Sequence, residues 1–255
     1  MPTYRLLVEY AGEAFVGWQI QAGEAPTVQG ALAAAVTQVT GERVSVVGSG
    51  RTDAGVHAEG QVASVALEAS WSPERLQRAL NGVLPRAACV RHVALARDGF
   101  DALRDAVAKR YRYQIWNAPA RSPLRARRFA HVPLRLDLEA MRVAAALLLG
   151  ERDFASFQGA GSDVLTTTRT LHRLDVDGVP GGEVRIVVEG SGFLRHMVRN
   201  LAGTLIEVGH GRRTAGSMTA LLEARDRSRA GPTAPAEGLT LERVDYPPET
   251  LGAGV

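Results

Sequence analysis

The 255-residue chain is 45% apolar and 22% charged, the balance of a globular protein and not of a disordered one. Thirty basic residues stand against 27 acidic ones, and all the basic residues except Lys109 are arginine, the side chain suited to bidentate phosphate contacts. One cysteine, Cys89, excludes an internal disulfide framework and any multi-cysteine zinc or iron–sulfur site.

In chain order, alternation places Tyr4, Leu6, Val8 and Tyr10 on one face of a first strand. Pro26-Thr27 opens a helix with the stripe Val28, Leu32, Ala35 and Val39, closed by Gly41. Strand-like stretches at 43–48 and 61–68 flank a glycine-rich loop. Ser72-Pro73 starts a second helix that stops near Asn81-Gly82, and a strand follows over 89–96. Beyond residue 108 the pattern predicts a strand over 109–117 and a helix from the cap Asp137 to 149. Strands over 168–177 and 183–189, a long helix over 193–208 and a last strand over 239–246 complete it. Strands and crossover helices do not alternate steadily, which argues against a parallel sheet. The expected fold is α+β, two similar halves, each a mainly antiparallel sheet with helices on one face and an active-site cleft between them. The expected domains are residues 1–104, carrying the loop, and 105–255. No segment reaches the roughly 20 apolar residues of a membrane span. The longest apolar run is 143–149, and the N-terminus lacks the apolar core of a signal peptide, so a soluble cytoplasmic protein is expected.

The stretch Gly48-Ser49-Gly50-Arg51-Thr52-Asp53-Ala54-Gly55-Val56-His57-Ala58-Glu59-Gly60 concentrates glycine between two strands, where positive φ and close backbone approach become available. It is not a P-loop, because Val56-His57 follow Gly55 where Lys and Ser/Thr are needed. Nor is it a dinucleotide fingerprint, because Asp53 holds the sixth position from Gly48. What remains is Arg51 and Asp53, two apart and able to face one ligand. A carboxylate with a guanidinium partner stays ionised, as a nucleophile must. By spacing alone, an Asx-turn with a solvated Arg51 is the better account.

The octet Gly50-Arg51-Thr52-Asp53-Ala54-Gly55-Val56-His57 resembles the signature of the tRNA pseudouridine synthase A family. Other stretches agree in order: Gly17-Trp18-Gln19, Lys109-Arg110-Tyr111-Arg112-Tyr113, Phe154-Ala155-Ser156-Phe157, His196-Met197-Val198-Arg199-Asn200 and Ala236-Glu237-Gly238-Leu239. The resemblance implies an isomerase that converts uridine to pseudouridine in the anticodon stem-loop of tRNA, at positions 38 to 40, after base flipping. It also implies a homodimer with no metal and no organic cofactor. Asp53 is then the nucleophile and Arg199 its partner. Arg51 helps hold the flipped nucleotide, and Tyr111 contacts the target base. The chain departs from the family pattern at Ala11, at Leu103-Arg104 and at Thr240. Whether Asp53 attacks C6 or C1′, or takes a sugar proton, is open at this stage.

Each of these residues also has a plainer account. Tyr111 and Tyr113 share a strand face, and either could be ordinary core. On a helical wheel Phe193, Leu194, Met197, Val198, Leu201, Leu205 and Val208 form one arc, while Arg195, His196, Arg199 and Asn200 lie opposite, as a solvated face would also do. Arginine clusters at 121–128, 212–213 and 225–229 supply a nucleic-acid footprint, or simply a charged surface. A catalytically silent RNA-binding module is the competing reading of those clusters. The six histidines show no metal-ligand spacing, which leaves a hydrolase built on Asp53 and His57 remote.

Overall fold

The computed structural model describes residues 1–161 and 164–250. The chain divides into two compact units: Met1–Ala108 with the described residues from Leu241 on, and Lys109–Thr240. The expected division falls between residues 104 and 105; in the structure the last strand joins the first unit across a long sequence gap. The fold is α+β, with mostly antiparallel strands.

In the first unit β1 (Thr3–Tyr10) is flanked antiparallel by β3 (His57–Ala66) and β4 (Ala88–Leu95), and β10 (Leu239–Asp245) lies on the far side of β3. The short β2 (Val47–Gly48) pairs with Ser64 and Ala63 of β3. The alternation in β1 is realised: Tyr4, Leu6, Val8 and Tyr10 are all buried. Helix α1 (Val28–Thr40) starts where Thr27 Oγ1 accepts the Gly30 N–H at 3.2 Å and ends on Gly41 in the left-handed region. Helix α2 (Pro73–Val83) is capped by Ser72, packs on β4 and touches α1. Each such cap contributes about 1 kcal/mol.

The second unit holds β5 (Ala108–Trp116) from Lys109 on, β6 (Ala130–His131), β7 (Gly150–Asp153), β8 (Thr168–Gly178) and β9 (Glu183–Gly190), in the order β5-β9-β8-β7 with β6 parallel to β5. Helix α3 (Leu138–Ala146), capped by Asp137, packs on β8 and on α4 (Met197–Gly209); α5 (Ser217–Ala224) follows.

Several boundaries differ from expectation. Strand β3 begins at His57, not 61, because Ala58 already pairs with Tyr10 of β1, and the functional loop is correspondingly shorter. Of 43–48 only the last two residues join a ladder. Glu42 caps the neighbouring strand end instead, its carboxylate accepting the N–H groups of Glu68 and Ala69 at 2.7 and 3.2 Å. Helix α4 begins at Met197, not 193. His196 adopts φ 59°, which ends helical geometry there, and the Arg195 carbonyl accepts the Gly159 N–H at 2.8 Å. Strands β6 and β7 and helix α5 went unforeseen, the strands being too short to show a period.

Candidate active site

The loop between β2 and β3 is held from below by buried polar groups. Thr52 is buried, and its Oγ1 lies 2.8 Å from Tyr10 Oη; its carbonyl accepts the Trp18 N–H at 3.0 Å. Gln61, fully buried on β3, donates from Nε2 to the Gly50 carbonyl at 3.1 Å, and its Oε1 accepts from Ser49 Oγ at 2.6 Å. The Val56 N–H closes a turn onto the Asp53 carbonyl at 3.1 Å. Gly55 has φ 81° at the third position, where a type II turn calls for glycine. Gly48 is required for packing, since a Cβ there would sit 2.3 Å from the Trp18 ring.

With Thr52 turned inward, its two neighbours lie on the outer side: Arg51 exposed, Asp53 half-buried. The turn is therefore a rigid mount for one carboxylate and one guanidinium rather than a bare Asx-turn. Burial pushes the Tyr10 phenol up to about 12, so at neutral pH it is a neutral hydrogen-bonding strut. His57 is fully buried, and its Nδ1 accepts the Gly12 N–H at 3.0 Å, which fixes this ring as part of the loop's support. Among the described residues no group of three or more His, Cys, Asp or Glu side chains could hold a metal ion.

In the second unit Lys109, Tyr111 and Tyr113 share one face of β5, opposite Gly190, Val188 and Ile186 of β9. The structure distinguishes the two tyrosines. Tyr113 has no exposed surface and donates from Oη to the Pro235 carbonyl at 2.9 Å, and burial pushes its phenol far up, so it is core. Tyr111 retains a little exposure and meets Phe193 edge-to-face, ring centroids 5.2 Å apart at 87°. Because α4 starts only at Met197, Phe193 lies outside the helix and is available for that contact. No sequence signal separated Phe193 from the helix's apolar stripe.

Arg199, half-buried in the first turn of α4, donates from Nε to the Ala234 carbonyl at 2.8 Å, while the Ala234 N–H donates to the Arg199 carbonyl at 3.1 Å. This double tether orients the guanidinium. The adjacent Asn200 is fully buried. Its Nδ2 donates to the Phe157 carbonyl at 2.8 Å, and its Oδ1 accepts from Arg227 Nη2 at 3.0 Å and from Thr233 Oγ1 at 2.6 Å. The polar arc expected on this helix is thus partly an internal clasp and not a solvated face. The polar pair Arg199-Asn200 beside an apolar stripe was the only sequence hint of it.

Burial pushes the Lys109 ammonium down to about 8. The unfolded chain keeps its proton up to the ordinary lysine value, so between those limits the unfolded state binds more protons and stability rises with pH. The full penalty is present below pH 8. Urea midpoints at pH 7, 8.5 and 10 should show the wild type gaining about 3 kcal/mol relative to Lys109→Met across that window. Parallel curves would mean that the ammonium is not desolvated.

The family profile described as tRNA pseudouridine synthase matches residues 6–99 and 144–247. A tRNA pseudouridine synthase A from Myxococcus xanthus is 46% identical over 246 residues, covering 96% of this chain and 92% of the relative. One from Azorhizobium caulinodans is 46% identical over 255 residues, covering 100% and 98%, and one from Neisseria gonorrhoeae is 42% identical over 244, covering 96% and 92%. Among solved structures, the archaeal box H/ACA sRNP Nop10-Cbf5 complex matches 94% of this chain and 50% of that one at a TM-score of 0.37 and 12% identity, a likeness too slight to add weight. The chain belongs to the tRNA pseudouridine synthase family, a family of isomerases.

Proposed function

We propose that this chain isomerises uridine to pseudouridine in the anticodon stem-loop of tRNA, with Asp53 as the nucleophile that holds the detached base. The reading rests chiefly on one observation: Asp53 projects from a turn whose every anchor, Thr52, Gln61 and the Trp18 N–H, is buried and hydrogen-bonded. Preorganised geometry of that kind is what a covalent step needs. The reaction breaks N1–C1′, turns the uracil, joins C5 to C1′ and releases the C5 proton. A base inside a stem must first be extruded, at a cost of a few kcal/mol. The exposed Arg51 is assigned the task of holding the extruded nucleotide and, from the resemblance, the tethered Arg199 that of partnering the nucleophile. Tyr111, braced by Phe193, offers a ring on which uracil stacks and a hydroxyl that takes up the departing C5 proton while passing its own to solvent. No cofactor is needed for these steps. From the resemblance we also propose a homodimer working in the cytoplasm, the dimer to be checked by light scattering.

The test is tritium release from tRNA labelled at uracil C5, with substrates carrying uridine only inside or only outside the anticodon arm. Release confined to the anticodon arm supports the reading. RNA binding without any release by the wild type would instead indicate a silent RNA-binding module. Tyr111→Phe should slow release by about 100-fold with tRNA affinity unchanged, the size of effect expected when a proton acceptor is lost. A loss under threefold would leave Tyr111 with stacking alone.

A further inference from the structure

The connection from β5 to β6, residues 117–129, carries Arg121, Arg125, Arg127 and Arg128 and no acidic residue. Its stem is rigid. The Asn117 side chain donates to the carbonyls of Val132 and Leu134 at 2.9 and 2.6 Å, and Trp116 Nε1 donates to the Ala120 carbonyl at 2.8 Å. Arg125 is used internally. Its guanidinium lies 4.5 Å from the Trp116 ring centroid, and its Nε donates to Glu183 at 2.7 Å. The Arg128 and Phe129 N–H groups both turn back onto the Arg125 carbonyl at 2.9 Å.

What the rigid stem presents outward is different in kind. Arg121 and Arg128 are exposed and, among the described residues, make no ion pair or side-chain hydrogen bond. Leu124 between them is 95% exposed. Two unneutralised guanidiniums on a loop already ordered by its own contacts can meet phosphates without a further ordering cost. Their place is also informative. Five residue steps along β5, about 17 Å, separate Tyr111 from Trp116 at the base of the loop.

We propose that residues 121–128 form a preorganised arm that grips RNA phosphates away from the base held at Tyr111. The inference rests on the reading of tRNA as substrate and deepens it. The arm recognises the stem's backbone, not its sequence, and contributes affinity and register without touching the reacting base.

The experiment uses the full chain and unmodified full-length tRNA. Arg121→Ala combined with Arg128→Ala should raise Kd about 10-fold and lower the slope of log Kd against log salt by roughly 1.5, with kcat for tritium release within twofold of wild type. Lysine at both positions should restore most of the affinity. An unchanged Kd and salt slope overturns the proposal. So does a Leu124→Asp protein that dissociates into monomers while the alanine variant binds tRNA as the wild type does, because the arm is then a protein–protein contact. If the wild type releases no tritium yet the salt-dependent loss of affinity appears, the arm stands and the isomerase reading fails.

Discussion

Asp53→Asn should lower tritium release from C5-labelled tRNA by roughly 10⁴-fold or more, the scale of losses when a covalent nucleophile is removed. The substitution keeps size and shape and removes the negative charge. The anchors of the turn are other groups: Thr52 on Tyr10, Gln61 on the Gly50 carbonyl, and the Trp18 N–H on the Thr52 carbonyl. The variant should therefore fold and bind tRNA with near wild-type affinity. Single-turnover release measured beside a filter-binding Kd separates the two quantities. Retention of more than about 1% of the wild-type rate, far above that scale, would remove Asp53 from the role of nucleophile. A Kd weakened in parallel with the rate would mean that the carboxylate serves binding and not chemistry.

Asn200→Ala should be the most damaging single change outside that loop. One fully buried side chain satisfies three partners: the Phe157 carbonyl, the Arg227 guanidinium and the Thr233 hydroxyl. Alanine leaves all three facing a small void, one of them charged. Breaking such a buried network costs about 3–4 kcal/mol, or roughly 10 °C in Tm for a protein of this size. Thr233→Val removes one neutral donor and should cost only about 1 kcal/mol. The segment from Arg227 to Ala234 that Asn200 secures also tethers Arg199, through the Ala234 carbonyl at 2.8 Å. Turnover should accordingly fall about 10-fold even at temperatures where the variant remains folded, the kind of loss a slightly misplaced guanidinium produces. Urea denaturation alongside release assays checks both halves. A loss of stability below 1 kcal/mol would show that water substitutes for the amide.

The regularities that the sequence made visible are those imposed within a few residues. The period of two in Tyr4, Leu6, Val8 and Tyr10, and the caps Thr27, Ser72 and Asp137, all appear in the structure as read. The loop holding Arg51 and Asp53 was legible because glycine at Gly48, Gly50 and Gly55 has few reasons to cluster in a strand connection. The start of the long helix was not legible. Residues 193–196 fit the apolar stripe as well as those that follow, and nothing local forecasts a left-handed His196. Strand β3 was placed four residues late because His57–Ala58 carry no alternation, being buried on both faces.

Local patterning thus determined most of the elements and the glycine-rich loop, because caps, turns and periodicity act over distances of one helical turn or less. The choice of Asp53, Arg51, Tyr111 and Arg199 as the candidate site came from the family resemblance. Only the tertiary structure decided which polar residues were structural. It showed that Gln61 and Asn200 clamp backbone carbonyls, that Tyr113 is core while Tyr111 keeps a little exposure and packs edge-to-face on Phe193, and that the last strand returns to the first unit. Those outcomes depend on partners scores of residues away, and a buried polar group finds its partner through packing, which no short window of sequence encodes.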